Sequence, residues 1–426
     1  MDENKNIPEK NPQKNVVRSI FDRQSERTQH SSVFGEKEKK ETNSSSIEEF
    51  AVAKQAPRLL SGEEVDRINR KFKRQLPIGV DIGFDSIKVA QLAVVDDQLR
   101  IVGLGVCDIP AEIKGGISKK EQIAQLLGDL LRDTGMKGDV YSAIQGDNMN
   151  FKYVSLPRMP RKEVHQAIEW EFKQLAGDSF DSQTYDYTIL NEEALEQADR
   201  IQILLISCPK QVVTDHLSIF DMLGLRVLAV ETDTFSLLAC LNFNKRIQPK
   251  EVVLLLDLGG TSSSISVINN QVLEYTRKSN VTGDTFISAL KDERAISFEQ
   301  AQDMIKQYYA QEKEGQQHIK KALTFPLEKL AKDIENSFKH YSFQITRSLI
   351  TDYHKIILCG GLVSLPLVAP FLKERLGKKV EINNPFSVFE VKEGVHLNPS
   401  FLEEDRGRFS VAMGLALRAV EEGTSL

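Results

Sequence analysis

Residues 252–268 read VVLLLDLGGTSSSISVI. An apolar run stops at Asp257, Gly259, Gly260 and Thr261, passes through Ser262 and other small hydroxyls, and becomes apolar again. Far upstream, residues 78–92 read IGVDIGFDSIKVAQL and do the same with Asp81, Gly83, Asp85 and Ser86. Each stretch predicts a strand, a tight turn and a second strand. A third strand follows each time, LRIVGLGVCDI in the first copy and VLEYTRK in the second.

The composition of the two turns has a chemical reading. A turn without bulky side chains lets backbone N–H groups approach an anion, and Ser or Thr hydroxyls add donors. A carboxylate beside such a turn repels phosphate unless a divalent cation lies between them. Asp with a Gly/Ser/Thr turn is therefore the composition expected around a Mg²⁺-bound polyphosphate. Taken singly, each turn is equally well a plain hairpin signal. A third Gly-rich turn, LCGGLVSLP at 358–366, follows an apolar strand and precedes a helix. Three such turns in this order are more specific than one. The Gly-x4-Gly-Lys-Ser/Thr pattern of a P-loop is absent from the sequence.

Outward from these turns, strands and helices alternate over 76–422. Helices are predicted at EQIAQLLGDLLRDTG, RKEVHQAIEWEFKQLAG, KQVVTDHLSIFDMLGL and TFSLLACLNF, with strands DVYSAIQGD, FKYVSL, TYDYTIL, IQILLISC and RVLAVET among them. A mostly helical stretch runs from about 284 to 350. The pattern predicts an α/β protein built from two related lobes, the product of an internal duplication. Residues 1–60 are polar and charged, which predicts disorder. Residues 61–74, SGEEVDRINRKFKR, carry a Ser61/Glu64 capping box and an apolar face, which predicts a short helix.

The chain has 426 residues, 41% of them apolar, and a formal charge of −6, which gives no reason to expect nucleic acid. It holds no apolar run of about 18 residues, so no membrane-spanning helix is expected. Its polar, acidic start is unlike a secretory signal, and a cytoplasmic protein is expected. The four cysteines, Cys107, Cys208, Cys240 and Cys359, are far apart, and three of them lie in apolar runs and are read as buried thiols. The seven histidines show no ligand spacing, and Trp170 is read as packing in the core or at an interface rather than as catalytic.

DIGFDSIKV, LDLGGTSSSISV and LCGGLVSLP resemble the two phosphate motifs and the adenosine motif of the actin-like ATPase superfamily. ETDTFSLLAC resembles its first connecting motif. More narrowly, VSLPRMPRKEVHQAIEWEF, SNVTGDTFISAL and FSVAMGLALRA resemble the PilM group of that superfamily, which acts in type IV pilus assembly. The resemblance implies an actin-like ATPase fold with two lobes around a nucleotide cleft. It places the first lobe at 76–248, with an inserted subdomain at about 151–207, the second at 249–398, and a C-terminal helix at 399–426 returning to the first. It implies ATP and Mg²⁺ as ligands, with weak or absent ATP turnover. Gly83, Asp85 and Ser86 would form the first phosphate loop, and Gly259, Gly260, Thr261 and Ser262 the second. Gly283 and Asp284 would lie near the ribose, and Gly360, Gly361 and Ser364 near adenosine. Asp81, Asp257 and Asp233 would face Mg²⁺ through water, with Glu231 in the same connecting region. One departure stands out. The family carries Ala-Glu-x-x-Lys beside the adenosine pocket, and here AQDMIK puts Gln302 and Ile305 at those places.

The function implied is a cytoplasmic scaffold for pilus assembly and twitching motility. It would be held at the inner membrane by a partner, the N-terminal peptide of a PilN-like inner-membrane protein. Other pilus assembly proteins and self-association are further expected contacts. Direct membrane insertion is not expected, because the C-terminal helix has no basic face beside an apolar one. Competing readings are a small-molecule kinase of the same superfamily and an FtsA-like polymer-forming cell-division protein.

Overall fold

A computed structural model describes residues 75–96, 98–113, 119–190, 199–310, 317–345, 350–391 and 406–424. The tail at 1–60 and the short helix expected at 61–74 lie outside the described residues. The first sheet begins with β1 (Gln75–Ile82), β2 (Ser86–Val95) and β3 (Gln98–Asp108), an antiparallel meander. β4 (Val140–Ile144) and β8 (Val227–Thr232) then add in parallel beside β1. The second sheet repeats this. β9 (Val252–Leu258), β10 (Ser263–Asn269) and β11 (Val272–Ser279) form the meander, and β12 (Lys355–Cys359) and β13 (Lys379–Ile382) add in parallel beside β9. Both sheets thus share an order of three antiparallel strands followed by two parallel ones, and the first carries a sixth strand at its other edge. The duplication expected from the two turns is a duplication of whole sheets.

The strands follow their apolar patterns. β9, VVLLLDL, is central and packed on both faces, so its apolar run is nearly continuous. β3 alternates, with one face inward. Helix α1 (Lys120–Thr134) buries Ile123, Ala124, Leu127, Leu130 and Leu131 at helical spacing. Gly135 ends it in the left-handed conformation, and its N–H returns to the last carbonyls.

Three further elements complete the layout. β5 (Asn150–Pro157), β7 (Arg200–Pro209) and β6 (Gln183–Ile189) form a separate antiparallel sheet in that spatial order. Helix α2 (Arg161–Ala176) covers one face of it with Val164, Ile168 and Phe172. The other face meets the main core through Leu204, Ile206 and Cys208. Trp170 of α2 is 60% exposed, so it does not pack in the core. Helix α3 (Lys210–Asp221) joins α1 on the outer face of the first sheet. Helices α5 (Gly283–Arg294), α6 (Phe298–Ala310), α7 (Gln317–His340) and α8 (Val368–Leu376) belong to the second lobe.

Helices α4 (Asp233–Phe243) and α9 (Ser410–Thr424) lie between the two sheets. One apolar cluster runs from Leu76 and Leu92 of the first sheet, through Leu237, Leu241, Leu415 and Ala416, to Val253, Leu255 and Ile357 of the second. These two helices therefore join the lobes below the point where the three turns face one another. β14 (Glu390–Val391) pairs in parallel with β3, so the chain has already returned to the first sheet by Glu390. Cys208, Cys240 and Cys359 are buried thiols, as their apolar surroundings predict.

Candidate functional site: a cleft lined by three turns

The first turn closes where Gly83 N–H donates to Ser86 O at 3.0 Å. The second closes where Gly259 N–H donates to Ser262 O, also at 3.0 Å. The third begins at Gly360, directly after β12. Gly360 has φ +92°, and a Cβ there would lie 2.4 Å from Leu258 O and 2.8 Å from Asp257 Oδ1. Only glycine suits this position, because its backbone presses against the end of β9.

The three turns face a cleft of about 1560 Å³ between the lobes. Gly83, Asp85 and Ser86 line one side, and Gly259, Gly260, Thr261 and Ser262 the other. Gly283 and Asp284 come from the start of α5, and Gly360, Gly361 and Ser364 from the third turn. Asp81, Asp233 and Asp257 sit among them. Every residue singled out in sequence for ligand or metal contact thus lines one cleft. Glu231 differs. It is buried outside the cleft lining, where it forms an ion pair with Arg418 of α9 and accepts from Ser236 Oγ at 3.3 Å.

Local structure explains each placement. Asp233 opens α4, behind the N-cap Thr232, whose side chain accepts from Phe235 N–H. Its carboxylate accepts from Gly146 N–H at 2.9 Å and from Thr234 N–H at 2.7 Å, which fixes its direction. The N-terminus of α5 is tied to the second turn. Gly283 N–H donates to Gly259 O at 2.9 Å and Asp284 N–H to Gly260 O at 2.8 Å. A Thr282/Thr285 capping box completes that helix start.

The electrostatics of the cleft are uneven. In the first lobe Asp81 faces Lys88 across the hairpin, with Lys88 Nζ donating to Asp81 Oδ2 at 3.2 Å. In the second lobe the matching partner of Asp257 is Ser264, so the cation has no duplicate there. Burial, and then the nearby carboxylates of Asp233 and Asp81, push Asp257 up to about 8, with Lys88 opposing them. Burial likewise raises Asp233 above the ordinary carboxylate value, against the lowering effect of its two backbone donors.

These residues fit a Mg²⁺–polyphosphate ligand in two ways. Three carboxylates meet in one cleft, and the proton on Asp257 is the one a cation would displace. Among the described residues no group of three His, Cys, Asp or Glu side chains is placed to hold a metal ion directly. In addition, Ser364 Oγ is buried in the third turn without a hydrogen-bond partner, as suits a group waiting for a polar ligand atom. Gln302 and Ile305 of α6 also line the cleft, in the places where the family motif has Glu and Lys.

Among the cleft residues that the sequence reading did not single out are Lys88, Gln145 and Arg408. Lys88 had a signal, since strand pairing across a tight turn sets it opposite Asp81. Gln145, whose Nε2 donates to Ile82 O at 3.3 Å, follows β4 and carries no motif. Arg408 comes from the segment before α9, and its Nη2 donates to Ser86 Oγ at 3.0 Å. Only the fold brings those two together.

Comparison with known proteins agrees with this architecture. A family model described as type IV pilus assembly protein PilM matches residues 79–420. A chain of a solved PilM–PilN type IV pilus biogenesis complex is 22% identical. The match covers 82% of this chain and 99% of that one, with a TM-score of 0.70. The ethanolamine utilization protein EutJ from Carboxydothermus hydrogenoformans matches at 15% identity, 80% and 89% coverage and TM-score 0.46. MreB5 of Spiroplasma citri matches at 11% identity, 81% and 96% coverage and TM-score 0.44. The two duplicated sheets around a cleft are the actin-like ATPase fold.

Proposed function

The chain belongs to the type IV pilus assembly protein PilM family, and we propose that it is a nucleotide-binding scaffold for a membrane-bound partner. The observation that carries the nucleotide part is the meeting of three Gly-rich turns and three carboxylates in one interlobe cleft. In this reading the first two turns hold the phosphates and the third holds adenosine. Asp81, Asp233 and Asp257 hold Mg²⁺ through water. Bound Mg²⁺ would offset the carboxylates that otherwise keep a proton on Asp257, and a nucleotide held by turns from both lobes would favour one lobe arrangement. The scaffold role needs little or no turnover.

The partner part rests on the family and on the small sheet of β5, β7 and β6. The solved relative is a PilM–PilN complex. We assign this chain a PilN-like partner whose cytoplasmic N-terminal peptide docks in an extended form beside the inserted subdomain. Among the described residues no helix is long and apolar enough to cross a membrane, so a spanning partner would supply the membrane attachment. The test is a pull-down with a PilN-type N-terminal peptide, with ATP and Mg²⁺ present, against surface variants across residues 150–209. Capture by the native protein and loss in a subset of variants is the expected result. Equal capture by all variants, or none by the native protein, would refute the peptide-scaffold reading.

A further inference from the structure

The two phosphate-type turns are duplicates, so each is a reference for the other. Gly83 corresponds to Gly259 and Ser86 to Ser262, with the same closing hydrogen bond. Between them the first turn has Phe84 and Asp85 where the second has Gly260 and Thr261. A hydroxyl in one copy is a carboxylate in the other.

That carboxylate reaches across the cleft. A Cβ built on Gly260 would lie only 2.1 Å from Asp85 Oδ2, so the acid of one turn rests on the bare backbone of the other. Its own backbone is pinned, because Ile109 N–H donates to Asp85 O at 2.8 Å. The neighbouring Ser86 is held from the far side of the cleft by Arg408. The backbone of the turn is thus fixed, and the carboxylate of Asp85 occupies the space between the two turns. Three further carboxylates, Asp81, Asp233 and Asp257, already line the same cleft.

Resting on the reading that the cleft takes a nucleotide, we infer that the Asp85 carboxylate is a built-in competitor for the phosphate groups. It holds the space between the two turns that a polyphosphate would enter, and it carries the same sign of charge. Binding then requires that the side chain swing out or share a divalent cation with the phosphates. Nucleotide affinity should accordingly depend on Mg²⁺ more steeply than in a turn carrying Ser or Thr at this place. Gly260 is the complementary adaptation, since any side chain there would collide with the carboxylate.

The experiment is calorimetric titration of ATP into the native protein, Asp85→Ser and Asp85→Asn, in chelator and at saturating Mg²⁺. Removing the like charge should tighten binding in chelator by about tenfold or more, with the gap narrowing at saturating Mg²⁺. Asn, which keeps the volume without the charge, should give part of the gain. Equal affinities in both conditions, or weaker binding by Asp85→Ser, would overturn the competitor role. If all three proteins are folded by thermal denaturation and none binds ATP in either condition, the nucleotide reading itself fails and the competitor with it.

Discussion

Asp257 holds a proton at neutral pH because it is buried beside Asp233 and Asp81. Its folded value is about 8 against an ordinary 3.8, so the folded state binds a proton that the unfolded chain releases. The stabilising contribution is full below pH 3.8 and is lost as pH rises through 8. Asp257→Asn should therefore raise the melting temperature at pH 8 by about 2–4 °C, while abolishing the further rise produced by Mg²⁺–ATP. Scanning calorimetry checks both, and a variant that still gains from Mg²⁺–ATP would remove Asp257 from the cation site. His216 runs the other way. Its Nε2–H donates to Ser142 Oγ at 2.9 Å, since that hydroxyl already donates to Val80 O. Burial holds the ring down to about 4 from an ordinary 6.5, so stability falls as pH drops from 6.5 through 4. His216→Leu should flatten that acid limb and cost about 1 kcal/mol at pH 7 through the hydrogen bond lost to Ser142 Oγ. An unchanged acid limb in urea denaturation series would show that another group sets it. At this scale the sequence was informative wherever a residue acts through its own turn. Asp81, Asp233, Asp257 and the turn glycines were all legible. Arg408 was not, because its partner Ser86 is 322 positions away and no local pattern links them. Glu231 was legible as an acid near a motif, but which way it faces is decided by Arg418 of α9.

The elements themselves follow the periodicities closely, from the Gly135 stop of α1 to the Gly-rich ends of β9 and β12. What periodicity could not give was the pairing of strands from distant segments. β14 crosses to β3 through a register that involves two residues, too short to be seen as a pattern. The edge of β11 is a second case. It is closed by the inserted subdomain, where the Tyr153 hydroxyl accepts from Thr276 N–H at 2.6 Å and donates to Thr276 O at 3.3 Å. The ring also stacks on Tyr275 at 5.5 Å. One phenol thus serves an edge strand as a neighbouring strand would. Tyr153→Phe keeps the stacking and removes both hydrogen bonds, so it should cost about 1 kcal/mol and speed amide exchange at Thr276. Unaltered exchange there would mean that the contact does not hold the insert to the second lobe.

Across the whole molecule, the duplication decides the architecture. Two sheets of one topology share a layer formed by α4 and α9, and the three turns meet above it. The repeat of Asp, Gly and Ser at the ends of β1 and β9 was enough to predict two lobes and a cleft. The differences between the copies, Lys88 against Ser264 and Asp85 against Thr261, were visible in sequence. Their meaning required the register and the interlobe distance. The central claim is that this cleft binds a nucleotide, and calorimetry of Mg²⁺–ATP with the native protein and Gly360→Val tests it most directly. A Val at this position would meet Leu258 O and Asp257 Oδ1 in a backbone conformation that disfavours β-branched residues. The account predicts one site per chain in the native protein and binding at least about tenfold weaker in a folded Gly360→Val. No binding by the native protein, or equal binding by both, would contradict it.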